Sequence, residues 1–221
     1  MVGAIMLKKL IFLVLITLFS SSNDVIAEDE ILNLPILSGV GGDFSAINAD
    51  GEEIAFSDFR AKVVVLAFGY TNCADICPFT LGYLKRLYDN LTAGEQQQLR
   101  VVFVTIDPEY DTPSHLKAFI GHFNKNFIGL SGTQEQVDYI VSLYQAEYNK
   151  LSTLNVPTQN IRRVNPKLFT DADEAKEDKA SLYSHSVTLY LIDKEGFTRS
   201  LEYTGTAIED FTSKIRLLIN E

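Results

Sequence analysis

Two runs of β-branched and apolar residues leave this chain few folds. KVVVLAF, Lys62 to Phe68, and LRVVFVTI, Leu99 to Ile106, are apolar with almost no alternation. A strand that is apolar on both faces has to be covered on both. Part of the cover lies between them. Leu81, Leu84, Leu87, Tyr88 and Leu91 recur at helical spacing, Pro78 suits a first helical turn, and Gly94 sits past the end. The three segments read as a β-α-β unit.

The remaining punctuation extends that unit. Glu28 to Leu37 reads as an extended lead-in. Phe44, Ala46 and Ile47 approach a turn at Asn48-Ala49-Asp50-Gly51, and Ile54 and Phe56 leave it, which predicts a hairpin. DPEYDTP reads as a loop ending in Thr112, a candidate N-cap with Pro113 at the first helical position, ahead of Leu116, Phe119, Ile120 and Phe123. NFIGL is a short strand, and Thr133 to about Glu147 a helix turning Val137, Ile140, Val141 and Tyr144 inward. Tyr148 to Leu182 is polar, carries the acidic run DADEAKED and has weak periodicity. It is expected to be a long loop with a short hairpin or helical turn. Ser186 to Ile192 and FTRSLEY are strands about the turn DKEG, and Ala207 to Asn220 is a closing helix. The expectation is an α/β domain over residues 28–221. Its mixed sheet is flanked by helices, with an N-terminal β-hairpin and a long insert before the last β-hairpin.

Residues 1–27 are set apart. MVGAIMLKK is basic, LIFLVLITLF is an apolar run, and Val25-Ile26-Ala27 precedes Glu28. That is the layout of a secretory signal peptide cut after Ala27. The rival is an uncleaved anchor, although the run is short of the roughly 20 residues a spanning helix needs. Either way the protein is expected in a bacterial periplasm, soluble after cleavage or tethered to the inner membrane by residues 10–20. No cysteine follows the run, which argues against a lipid anchor. Both methionines, Met1 and Met6, lie in this segment, so soft-metal chemistry in the remainder must use thiolates and imidazoles. The formal charge of -10 argues against nucleic acid as a partner, since phosphate binding needs basic patches.

The only two cysteines, Cys73 and Cys77, sit in FGYTNCADICPFTL, just after the first core strand and opening the helix that follows. This is the thioredoxin arrangement. Residues i and i+4 near a helix start lie on one side, and the unpaired N–H groups there favour thiolate. Two converging thiolates can close a disulfide in an oxidising compartment or hold a soft ion, Cu(I) with Zn(II) as competitor. A purely structural disulfide would close a very small loop and stabilise little. Of the histidines, His115 and His122 are seven apart on one helix, too far to chelate one ion easily, and read as helix surface. His185, in YSHSVTLYLID, precedes a core strand and is either a third ligand or a satisfied core-edge histidine.

Three blocks together resemble the SCO/SenC family of copper-binding thioredoxin-like proteins: FGYTNCADICPFTL, VTIDPEYDTPSHLKAF and YSHSVTLYLIDKEG. The resemblance implies one copper ion, Cu(I) or Cu(II), held by Cys73, Cys77 and His185. It implies a metallochaperone that assists the dinuclear copper centre of cytochrome c oxidase, with the copper-receiving oxidase subunit or another periplasmic copper protein as partner. A thiol reductant protein would keep the pair reduced. Asp75 matches the motif as a supporting residue. Asp107 and Asp111 match the second block, Asp107 as a strand-end residue and Asp111 as one that orders the loop. Alanine at 74, asparagine at 72 and serine at 184 depart from the residues usual in the family, and Ser184 replaces an acidic neighbour of the histidine. The alternatives are a thiol–disulfide oxidoreductase, in which Cys73 attacks and Cys77 resolves, and a copper or redox sensor.

Overall fold

In the computed structural model, which describes residues 33–151 and 182–221, the two apolar runs lie side by side at the centre of one sheet. β1 (Ser45–Asn48) and β2 (Glu53–Ala55) form the expected hairpin, with Ala46 opposite Ile54 and Gly51 at φ 85° in the turn. A 3-10 turn at Phe56–Phe59 leads into β3 (Val63–Gly69), every residue of which is buried. Helix α1 (Ile76–Asp89) follows, then a short α2 (Ala93–Gln98) and β4 (Leu99–Thr105). Next come α3 (Pro113–Gly121), β5 (Ile128–Ser131) and α4 (Gln134–Leu143). β6 (Tyr148–Leu151) and β7 (Leu182–His185) flank the insert, and β8 (Leu189–Ile192), β9 (Thr198–Glu202) and α5 (Ile208–Asn220) complete the chain.

The sheet runs β2-β1-β5-β4-β3-β8-β9. β3 pairs parallel with β4 and antiparallel with β8, so the sheet is mixed. α1 turns Leu81, Leu84 and Leu87 into the core, each fully buried leucine being worth about 1.5–3 kcal/mol over an exposed one. Residues Pro35–Glu221 form one compact unit. The register matters most for function. Gly69 stands opposite Thr105, so the loops leaving β3 and β4 emerge at the same level and can touch.

Three boundaries differ from the sequence reading. Gly94 lies inside α2, because Thr92 and Glu95 form a reciprocal capping box that starts a new helix immediately after α1. α4 stops at Leu143 rather than near Glu147, because the chain reverses at Gln145, φ 50°. The strand expected from Ser186 begins at Leu189, because Ser186 is drawn to the end of β6, its N–H donating to Glu147 O at 2.9 Å. The insert begins and ends in strands: β6 and β7 pair antiparallel, Tyr148 opposite His185 and Leu151 opposite Leu182. The signal or anchor of residues 1–27 and residues 152–181 of the insert lie outside the described residues. Among the described residues no helix is long and apolar enough to cross a membrane.

Candidate metal centre

The cysteine loop is fixed from below by one carboxylate. Asp111, fully buried on the loop after β4, accepts the Thr71 N–H at 2.9 Å and the hydroxyls of Thr71 and Thr105. Without it the Thr71 amide would lose its partner, at about 1–3 kcal/mol for a buried donor. Burial raises the Asp111 carboxyl to about 7 in spite of these donors. Through these bonds Asp111 ties the start of the cysteine loop to the end of β4. Gly69 makes room above it. A Cβ there would stand 2.7 Å from the Phe103 ring and 2.9 Å from Cys77 Sγ, closer than real Cβ contacts come.

Cys73 and Cys77 are both free and buried. The Cys77 N–H points at Cys73 Sγ, 3.4 Å away. The Cys77 thiol, His185 and the backbone N–H groups of Asp75 and Cys77 all stabilise negative charge on Cys73, and they lower it to about 4 against the cost of burial. Cys77 is pushed the other way, well up, by its bond to Cys73, by burial and by the charge beside it.

His185 ends β7, and its imidazole reaches the pair. Its Nε2 lies 3.5 Å from Cys77 Sγ. Its Nδ1 is 2.8 Å from Ser186 O, and a carbonyl only accepts, so Nδ1 carries a proton and Nε2 is the ring nitrogen that faces the sulfurs. The next backbone carbonyl thus orients the ring, while Ser184 is exposed in β7. One ligand atom from each of Cys73, Cys77 and His185 lies within 4.8 Å of the other two, the one such His/Cys/Asp/Glu group among the described residues.

The other singled-out residues fall around this group. Asp75 occupies the N-cap position of α1, where its exposed side chain makes no capping bond, and supports the site through its backbone N–H. Asp107 is buried and its carboxyl is raised by burial; its Oδ2 finds no partner, while Tyr183 bonds the carboxyl and Lys150 lies near. Its reach to the histidine hairpin goes beyond a strand-end role. His115, on α3, packs at a tilt on the Tyr110 ring, 5.4 Å away, and His122, at the C-cap of α3, is exposed. Sequence reasoning assigned nothing to Tyr70, Thr71 or the Ser186 carbonyl. Tyr70 lies in the quoted cysteine block, but its role depends on a contact 113 residues away.

The donor set suits a soft ion. Metal–sulfur bonds of about 2.3 Å and metal–nitrogen bonds of about 2.0–2.1 Å put the two donors about 3.6–3.8 Å apart around a tetrahedral to trigonal ion. The 3.5 Å between Cys77 and His185 needs only a small adjustment. Two thiolates select Cu(I) or Zn(II), and imidazole also suits Cu(II).

The SCO1/SenC family model matches residues 37–220. An SCO2-like protein of Rickettsia felis is 32% identical over 157 residues, 71% of this chain and 66% of that protein. The apo Sco1 solution structures from Thermus thermophilus are 28% identical, with a TM-score of 0.64, covering 82% of this chain and 92% of that one. Yeast Sco1 with copper bound is 23% identical, with a TM-score of 0.66, over 83% of this chain and 90% of that one, and shows the same thioredoxin-like fold. The chain spans 40% to 66% of the length of the Rickettsia and Arabidopsis relatives it matches.

Proposed function

This chain belongs to the SCO1/SenC family, and from that premise we propose that it carries one copper ion between Cys73, Cys77 and His185. The observation that carries this reading is the meeting of three ligand atoms within 4.8 Å from segments 108 residues apart. Copper is cargo here. Two thiolates and one imidazole leave a coordination position open, so a recipient's thiolate can enter as one of these leaves. The recipient is the copper-receiving subunit of cytochrome c oxidase, whose dinuclear centre the protein helps to metallate, or another copper protein of the same compartment. That compartment is the bacterial periplasm, reached by the leader at residues 1–27, which is either cleaved or kept as a tether through residues 10–20.

A second reading is favoured by the inequality of the two sulfurs. Cys73 is held as thiolate and Cys77 as thiol. In exchange chemistry the Cys73 thiolate attacks a partner disulfide and forms a mixed disulfide. Cys77 loses its proton, attacks Cys73 Sγ and closes Cys73–Cys77. The partner leaves as a dithiol with two electrons gained, and a thiol reductant protein restores the pair. Copper loading requires the same reduced state, so the two activities share one gate.

The test is copper titration of the reduced protein beside a disulfide-reductase assay. One equivalent should bind, and Cys73→Ser and Cys77→Ser should each abolish tight binding. Survival of binding in both variants would place the site elsewhere. Reductase activity without copper binding would leave the exchange reading alone.

A further inference from the structure

Cys73 and Cys77 are built onto β3 and α1, but His185 is not part of the main sheet. It ends β7, which among the described residues pairs with β6 alone, in a separate two-stranded sheet. Contacts between Ser186 and Glu147 close that hairpin on itself. Something else must hold it over the cysteine loop.

The buried tyrosine three residues before Cys73 does so. The Tyr70 hydroxyl donates to the Tyr183 carbonyl at 3.4 Å and accepts the Tyr183 N–H at 3.3 Å. One phenol thereby takes both the N–H and the C=O of Tyr183, as a neighbouring strand would. Its ring meets Tyr183 edge-on at 5.3 Å and His185 at 5.9 Å, so it lies against the imidazole as well. Tyr183 is secured at its other end, where its side chain bonds Asp107.

We propose that the Tyr70 hydroxyl is a latch between the cysteine loop and the histidine hairpin, which makes Tyr70 the positioning residue for His185. This rests on the copper reading above. Both bonds are long for their type, and bonds of this length hold weakly. The latch therefore keeps the imidazole at hand without locking it. Opening it frees His185 while Asp111 still holds the cysteine loop, leaving a two-thiolate site for Cu(I). Closing it adds the ligand that Cu(II) needs.

Tyr70→Phe tests this by removing the hydroxyl and keeping the ring. Tyr83→Phe is the matched control, because Tyr83 makes the same kind of long-range bond, to Thr206 O at 2.9 Å, away from the thiols. In the reduced, metal-free protein, Tyr70→Phe should speed amide exchange at Tyr183 about tenfold, the effect of losing one or two modest bonds. In copper titrations it should shift the sulfur-to-Cu(II) absorption band and weaken Cu(II) about tenfold, with Cu(I) affinity within about twofold. Tyr83→Phe should lower thermal stability comparably and change none of these readings. Wild-type exchange at Tyr183 in Tyr70→Phe, or the same changes in Tyr83→Phe, would overturn the latch. If the wild-type protein bound no copper, the copper reading would fall, and the exchange result alone would decide whether Tyr70 holds the hairpin.

Discussion

Asp111 is the residue on which the cysteine loop depends, and it is held at a cost. An ordinary aspartate titrates near ~3.9, whereas burial raises this one to about 7. The folded state therefore binds its proton more tightly than the unfolded state does. The stability that this proton linkage contributes is full below about pH 4 and is lost as pH rises through about 7. Asp111→Asn keeps an acceptor for Thr71 and has no charge to bury. Its thermal midpoint should vary less than that of the wild type between pH 4 and pH 7, the two curves converging at the acid end. Parallel curves across that window would show that Asp111 does not titrate there.

At the scale of elements, Gly69 at the end of β3 leaves no room for a side chain beside Cys77 on α1. Gly69→Ala would push a methyl into the Phe103 ring and Cys77 Sγ, and overpacking of this kind costs about 1–3 kcal/mol. The denaturation midpoint should fall, and copper affinity with it as Cys77 is displaced. Gly82→Ala, within α1 and facing open space, should instead stabilise by about 0.5–1 kcal/mol and leave copper binding unchanged. Equal effects of the two substitutions would dissociate the packing at Gly69 from the thiol pair. The strands and the helix between them were legible because β3 and β4 are buried on both faces and α1 repeats its leucines at helical spacing. Thr112 was legible as a cap from Pro113 beside it, and the structure shows it accepting the His115 N–H. α2 was missed because its signal is a capping box rather than an apolar stripe. The end of α4 was missed because a left-handed Gln145 leaves no mark in composition. The three-residue meeting at the thiols was named from a family resemblance. Spacing alone left His185 undecided, since no local pattern reports that residue 185 will return to residue 77.

For the whole molecule, the insert can be weighed by what flanks it. Leu151 and Leu182 are cross-strand partners, so a two-residue turn can join β6 to β7 in the register that carries His185. Replacing residues 152–181 by Asn-Gly, a tight hairpin turn, should keep one copper per chain at unchanged affinity, read by titration. Any loss should appear in transfer to a recipient. Lost binding in a folded variant would mean that the replaced segment helps hold the ion.

The order in which the chain is made adds a further consequence. β3 is flanked on one side by β4 and on the other by β8, and β8 follows His185 by only a few residues. A growing polypeptide that has emerged as far as Leu151 carries both sulfurs but lacks the imidazole and half the flank of its central strand. Capture by all three ligands must then wait until residue 185 and the strand after it have been made, so the complete site is a late product of the chain.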